Sequence, residues 1–93
     1  MVRIQRDEVD AHAVALIPQG RMSAEWAELL ELECEQLSRW GFRVVVDLSE
    51  VVVIGRYGLE ALRRLSPARV GITGCSPLIA ARLEQEGIPA EPR

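Results

Sequence analysis

Residues 43–62 read RVVVDLSEVVVIGRYGLEAL, and the pattern changes three times along them. The valines at 44–46 form a continuous β-branched run, which is typical of a strand in a parallel sheet covered by helices on both faces. After a polar turn, a second apolar run at 51–54 leads to a pair of glycines. From Gly58 on, leucines recur every three residues, as on one face of a helix. The segment predicts a strand, an irregular turn and a short helix at about 57–65.

The turn itself, Gly55-Arg56-Tyr57-Gly58, is the first place to look for a functional surface. In open α/β sheets, ligand and partner sites tend to lie where strand ends meet helix starts. Two interpretations of the valines at 51–53 stay open: an apolar contact surface for a protein or a second copy, or part of the core.

The N-terminal region predicts two antiparallel strands. Residues 2–5 alternate apolar and polar and indicate an edge strand, and residues 12–17 indicate its partner, with His12 on the outer face. A polar loop of several residues is expected between them. Pro18 is expected to end the second strand, because proline cannot donate to a ladder.

A long helix is predicted next, from the N-cap Ser23 to a left-handed stop at Gly41. One face carries its apolar stripe and the opposite side carries glutamates 28, 31 and 35, which indicate a solvated face or a docking face for a basic partner. The stripe consists of Trp26, Leu29, Leu30, Cys34 and Leu37.

The C-terminal region predicts a buried strand at 69–73 and a last helix. Ser76 is expected to cap this helix with Pro77 at its first position, and Gly87 to end it. Leu78, Ile79 and Leu83 are expected to face inward. Residues 90–93 are expected to form a loose tail.

Together these elements give the order β-β-α-β-α-β-α. Alternating strands and helices imply parallel pairing, and the first two strands add an antiparallel edge. We therefore expect one α/β domain over residues 1–93, with a four-stranded, mixed, mostly parallel sheet and about three helices.

Composition argues against several functions. The net charge is −3, and all eleven basic residues are arginines, with no basic cluster beyond Arg63-Arg64, which argues against nucleic acid as a partner. His12 has no nucleophile or carboxylate pattern beside it, and the sequence contains no phosphate-binding loop, metal-ligand spacing or paired catalytic carboxylates. We expect neither an enzyme nor a cofactor.

Without a signal peptide or a membrane-spanning apolar run, a cytoplasmic location is expected.

Two linked motifs occupy the centre of the chain: Asp47-Leu-Ser-x-Val51-x-x-Ile54, then Gly58-Leu-x-Ala-Leu62. They resemble the signature of STAS domains, the anti-sigma factor antagonists and their relatives. Gly20-Arg21 and the Gly-Cys-Ser-Pro segment at 74–77 resemble the family more loosely. The resemblance implies a STAS-like fold along nearly the whole length.

The resemblance breaks at the turn that gives the family its switch. In phosphoswitch members this turn reads Asp-Ser-Ser/Thr-Gly, and an anti-sigma factor that is also a kinase phosphorylates its hydroxyl. Here Gly55 replaces the acidic residue, and Arg56 and Tyr57 occupy the hydroxyl positions. The resemblance therefore implies a protein-binding domain whose phosphorylation site has been lost.

The residues expected to bind a partner are Asp47, Ser49, Gly55, Arg56, Tyr57 and Gly58. For Arg56 and Tyr57 two interpretations remain: a fixed contact to a partner, or a solvated turn that has lost its role. Asp47 is expected mainly to close a turn by accepting from backbone N–H groups. The partner is either a kinase-like anti-sigma factor or, alternatively, the ATPase of a bacterial lipid ABC transporter, and a homodimer is left open.

Overall fold

The computed structural model describes residues 3–65 and 70–91, apart from the side chain of Met22. In that part of the chain, five strands and three helices form an α/β fold. Their order is β1 (Arg3–Asp10), β2 (Ala13–Met22), α1 (Ala24–Arg39), β3 (Arg43–Asp47), β4 (Val51–Ile54), α2 (Arg56–Leu65), β5 (Gly71–Thr73) and α3 (Pro77–Gln85).

The sheet is mixed and mostly parallel, as the sequence predicted. Its order is β1-β2-β3-β5, and β4 also pairs with β2. Only the β1–β2 pairing is antiparallel. The predicted count of four strands is wrong, because Val51–Ile54, interpreted as an irregular approach to the helix, forms a fifth strand along Gly20 to Met22.

The first hairpin is longer and tighter than predicted. β1 continues to Asp10, and the turn contains only Ala11 and His12. His12 therefore lies in the turn, where its N–H donates to Asp10 Oδ1 at 2.7 Å, and not on a strand face. β1 is an edge strand that is mostly exposed, so its polar residues beyond Gln5 show no alternation of apolar and polar side chains from which the rest of the strand could be predicted.

Pro18 does not end β2, as had been predicted. β2 pairs with β3 along Ala13 to Leu16 and with β4 from Gly20 onward, and Pro18 falls in the interval between these pairings. Because no residue of β3 or β4 is paired with Pro18, no N–H is needed at this position for a hydrogen bond to those strands. Proline is therefore tolerated inside a strand that has neighbours on both sides.

The core lies on one face of the sheet, so the predicted coverage of both faces is wrong. Val44 and Val46 are buried in the cluster that also holds Trp26 and Leu62 from the helices. Val45, on the other face, is half-buried beside a shallow groove that residues 89–91 also line. The valine run is continuous because Val45 is partly shielded and because β-branched residues suit a pleated surface.

The helix boundaries follow their capping residues. The Ser23 and Ser76 hydroxyls accept from Trp26 N–H and Ile79 N–H, at 3.5 and 3.3 Å. Gly41 adopts φ +88°, as expected for the residue that ends α1.

Two predicted core leucines are exposed instead. Leu78 is 85% exposed and Leu29 is 37% exposed. Each lies one residue, about 100° around the helix, from a buried neighbour, Ile79 or Leu30. The buried faces are set by those neighbours.

The last described residues run alongside β5. Ile88 N–H donates to Leu83 O at 2.9 Å after Gly87, which is the Schellman stop that the sequence predicted. Glu91 N–H donates to Ile72 O at 2.9 Å, so this position of the expected loose tail is anchored. Pro67, which is expected to block further helix, and Arg69, the predicted first residue of the strand at 69–73, lie outside the described residues.

Candidate partner-binding site

The Gly55–Gly58 turn forms the junction between β4 and α2, where the sequence placed it. α2 begins at Arg56, and its first bond runs from Leu59 N–H to Gly55 O at 3.0 Å. Arg56 and Tyr57 are both exposed, Tyr57 by 58%, whereas Gly58 is buried. The two large side chains therefore stand at the helix start, where another molecule can reach them.

Asp47 and Ser49 form a separate turn at the end of β3. Asp47 Oδ1 accepts from Ser49 N–H at 2.9 Å, the turn-closing bond expected from the sequence. Gly74, at φ +73°, passes so close that a Cβ there would lie 2.2 Å from Asp47 Oδ1. Among the described residues, Asp47 forms no ion pair with Arg56. This carboxylate is engaged in holding the loop that leads into β4.

A β-bulge in β4 exposes two adjacent valines. Gly20 pairs with Val51 and Arg21 with Val53, so Val52 has no partner in the register. The bulge breaks the usual alternation, and Val51 and Ile54 are buried while Val52 and Val53 are 76% and 46% exposed. The sequence left open whether this valine run is a contact surface or core, and the structure shows that part of it is core and part is surface.

The exposed valines line an open groove of about 390 Å³ between β4 and α3. Leu78 and Arg82 form part of its opposite wall. Sequence reasoning missed Leu78 as a surface residue because its apolar character suggested the core. The signal available was the position of the buried pair Ile79 and Leu83, which fixes the inward face of α3.

Three arginines lie at this groove and the cleft beside it. Arg82 lines both the groove and a smaller cleft that also contains Arg56, Glu60 and Arg63. Arg63 is paired with Glu86, but neither Arg56 nor Arg82 forms an ion pair with a described residue. Their guanidinium groups remain available to an external acceptor.

Both cysteines are free, buried thiols. Burial, helped by the charges of Glu33 and Glu31, raises the pKa of Cys34 to about 12. Burial, with the charge of Asp47, also raises the pKa of Cys75. Both side chains are therefore neutral at physiological pH, as expected for small apolar core residues and not for nucleophiles.

The comparisons with known proteins identify the architecture. No protein-family model matches the chain, and no curated protein matches it. Solved structures do match: the anti-sigma factor antagonist SpoIIAA in its unphosphorylated form aligns with a TM-score of 0.77, over 98% of this chain and 88% of SpoIIAA, at 13% identity. The chain has the SpoIIAA fold. This is the STAS-like fold that the central motifs implied.

Two further structures show the same fold. The Bacillus cell fate determinant SpoIIAA in its phosphorylated form aligns with a TM-score of 0.65 and 14% identity, over 98% of this chain and 91% of that one. A protein of the DUF3478 family from Shewanella loihica PV-4, described as having a SpoIIAA-like fold, aligns with a TM-score of 0.59 and 19% identity, over 100% and 82% of the two chains.

The described helices include none that is both long enough and apolar enough to cross a bilayer. Within residues 3–65 and 70–91, no three acidic, histidine or cysteine side chains come together as a metal site.

Proposed function

We propose that this chain is a non-catalytic, protein-binding regulator of the anti-sigma factor antagonist type, acting in the cytoplasm. It contacts its partner through Arg56 and Tyr57, and Gly55 and Gly58 shape the turn between β4 and α2. Asp47 and Ser49 hold the neighbouring turn. The SpoIIAA fold and the two motifs support this class of function.

The observation that carries the proposal is the exposure of Arg56 and Tyr57 at the start of α2. A helix N-terminus has a partial positive charge, so an arginine there gains nothing from the helix dipole. Stability of the turn therefore does not account for the residue. Arginine and tyrosine are enriched in protein interfaces and among the residues that dominate binding energy, so a partner contact accounts for both.

The proposed contact is permanent and not switched by phosphate. Where phosphoswitch members have an acidic residue followed by hydroxyl side chains, this chain has Gly55, Arg56 and Tyr57. Incubation with ATP and a cognate kinase should leave the turn unmodified. Phosphate on Tyr57, detected by mass spectrometry, would contradict this part of the proposal.

A double substitution, Arg56→Ala with Tyr57→Ala, tests the contact. The tagged protein is expressed in its native organism and purified, and the co-purifying proteins are quantified by mass spectrometry. We expect the partner to be lost while circular dichroism and thermal unfolding remain those of the wild type, because both side chains are exposed.

The chain provides a matched control in Arg39 and Trp40. They are also a consecutive arginine and aromatic residue, exposed at the end of α1. Arg39→Ala with Trp40→Ala should retain the partner. If both double variants recover the same amount of partner, Arg56 and Tyr57 are solvated turn residues without a binding function.

The second candidate function is that of a STAS subunit bound to the ATPase of a lipid ABC transporter. This role needs no phosphate acceptor, so the altered turn is compatible with it. The identity of the protein that depends on Arg56 and Tyr57 separates the two candidates: a histidine-kinase-like anti-sigma factor or an ABC ATPase.

A further inference from the structure

We propose that the partner presents an acidic amphipathic segment, and that the groove between β4 and α3 binds it beside the Arg56–Tyr57 turn. The segment would place apolar side chains on Val52, Val53 and Leu78 and carboxylates on the surrounding arginines. This inference rests on the proposed function and specifies the chemistry of its partner.

The apolar part of this surface is built by two local features of the backbone. The bulge at Val52 turns two consecutive valines outward, and the first turn of α3 leaves Leu78 85% exposed. All three side chains line one groove of about 390 Å³. Exposed aliphatic side chains that face each other across a groove are typical of contact surfaces, whereas isolated ones are ordinary surface residues.

The unpaired charges around the groove and the adjoining cleft are mostly positive. Five of the nine described arginines form ion pairs: Arg6, Arg39, Arg43, Arg63 and Arg64. Four remain, and three of them, Arg21, Arg56 and Arg82, lie at this surface.

The positions of these three arginines follow from the fold. Arg21 is the strand partner of Val53, so their side chains share a face. Arg82 lines the groove, and Arg56 lies across the adjoining cleft from it. Among the described residues, Glu60 is the only acidic residue that lines this cleft and forms no ion pair. The unpaired charges are thus two arginines and Glu60 in the cleft and a third arginine beside Val53, which leaves a net positive charge.

An acidic amphipathic segment complements both properties at once. Guanidinium groups bind carboxylates in a bidentate geometry, and unpaired arginines lose no existing ion pair when they do so. An apolar strip between the carboxylates would cover the valines and Leu78. A basic segment would meet like charge, and a purely apolar one would leave the arginines unpaired at the rim.

Selection of peptides from a random phage-displayed library tests the chemistry without knowledge of the partner. Purified full-length chain is immobilised, and enriched peptides are synthesised and their affinities measured by calorimetry. We expect enriched sequences with two or more acidic residues flanking aliphatic or aromatic ones, and weaker binding at higher salt.

Variants of the chain test whether the selected peptides bind at the groove. Leu78→Asp and Arg82→Glu should each weaken binding about tenfold, the size of an effect expected on losing an interface anchor. Leu32→Asp and Arg39→Glu change residues that are also exposed, on α1, and should leave the affinity unchanged. Unaltered thermal unfolding of Leu78→Asp confirms that the fold is intact.

Several results would overturn the inference. No enrichment, enrichment of basic or uncharged peptides, or equal binding by all four variants would exclude an acidic partner segment at this groove. A concentration-dependent dimer in sedimentation equilibrium that Leu78→Asp dissociates would assign the groove to a second copy. Flotation with anionic vesicles that Leu78→Asp abolishes would assign it to a membrane.

These failures are distinct from failure of the proposed function. If a partner still depends on Arg56 and Tyr57 in the recovery experiment, the binding role stands although its chemistry at the groove is different. If no partner depends on them, the proposed function fails whatever peptides are selected.

Discussion

At the scale of single residues, the contact between Asp47 and Gly74 positions the loop from which β4 starts. Asp47 Oδ1 closes its own turn through Ser49 N–H and leaves no space for a side chain at position 74. Gly74 also has φ +73°, a conformation that other residues adopt with strain. Two separate costs therefore act against any larger residue at this position.

We predict that Gly74→Ala lowers the free energy of unfolding by about 2–3 kcal/mol, the upper part of the range for a strained backbone position, because the clash adds to the strain. Gly87→Ala is the matched control, since its φ is +72° but nothing lies within 4 Å of a Cβ there. Its cost should be about 1 kcal/mol, from the backbone alone. Equal costs in urea unfolding would show that the contact with Asp47 contributes nothing.

The buried thiol of Cys34 makes stability depend on alkaline pH. Because burial raises its pKa from 9.0 to about 12, the unfolded chain loses this proton first as pH rises. The contribution is complete below the unfolded pKa and is lost as pH rises toward the folded value, so the free energy of unfolding should fall between about pH 9 and 12. Cys34→Ala should fall less steeply when unfolding is measured across this range. Parallel curves for the two proteins would contradict the pKa shift.

At the scale of elements, the bulge in β4 is the feature that turns a uniform apolar run into a surface. Val51 and Ile54 face the core and the two valines between them face solvent. A regular strand would instead alternate, burying every second residue.

Valine-to-threonine substitutions, which keep the shape of the side chain, test this assignment. Val51→Thr should lower the free energy of unfolding by about 1–3 kcal/mol, because a hydroxyl is buried without a hydrogen-bond partner. Val52→Thr and Val53→Thr should change it by less than about 0.5 kcal/mol, as is usual at a surface. A loss at Val53 as large as that at Val51 would mean that the strand is regular and the groove wall is core.

The same elements show what the sequence could and could not predict. Capping residues such as Ser23 and Ser76 act through local hydrogen bonds, so the helices were predicted within a residue or two. The burial of Val45 and the continuation of β2 through Pro18 depend on which strands lie alongside, and local pattern carries no such information. Leu78 was misplaced for the same reason: hydrophobicity alone does not specify the direction of one side chain.

The candidate site was predictable to a similar extent. The position of the Gly55–Gly58 turn at a strand-to-helix junction followed from the change of period in the sequence. The exposure of both Val52 and Val53, which line the groove, depends on the register between β2 and β4. The central motifs indicated the fold, whereas the groove became visible only in three dimensions.

At the scale of the whole molecule, the chain combines a SpoIIAA fold with a β4–α2 turn, Gly55-Arg56-Tyr57-Gly58, that contains no serine or threonine. The helices and the core lie on one face of the sheet, while the β4–α2 turn, the groove and three of the unpaired arginines share one region of the surface.

The most direct test of the central claim is photo-crosslinking in living cells from position 57. A photoreactive phenylalanine analogue replaces Tyr57 in one variant and Trp40, which is similarly exposed just after α1, in a second. We predict a discrete covalent adduct with one other protein from position 57 and none from position 40. No adduct from position 57, or the same adducts from both positions, would contradict the account.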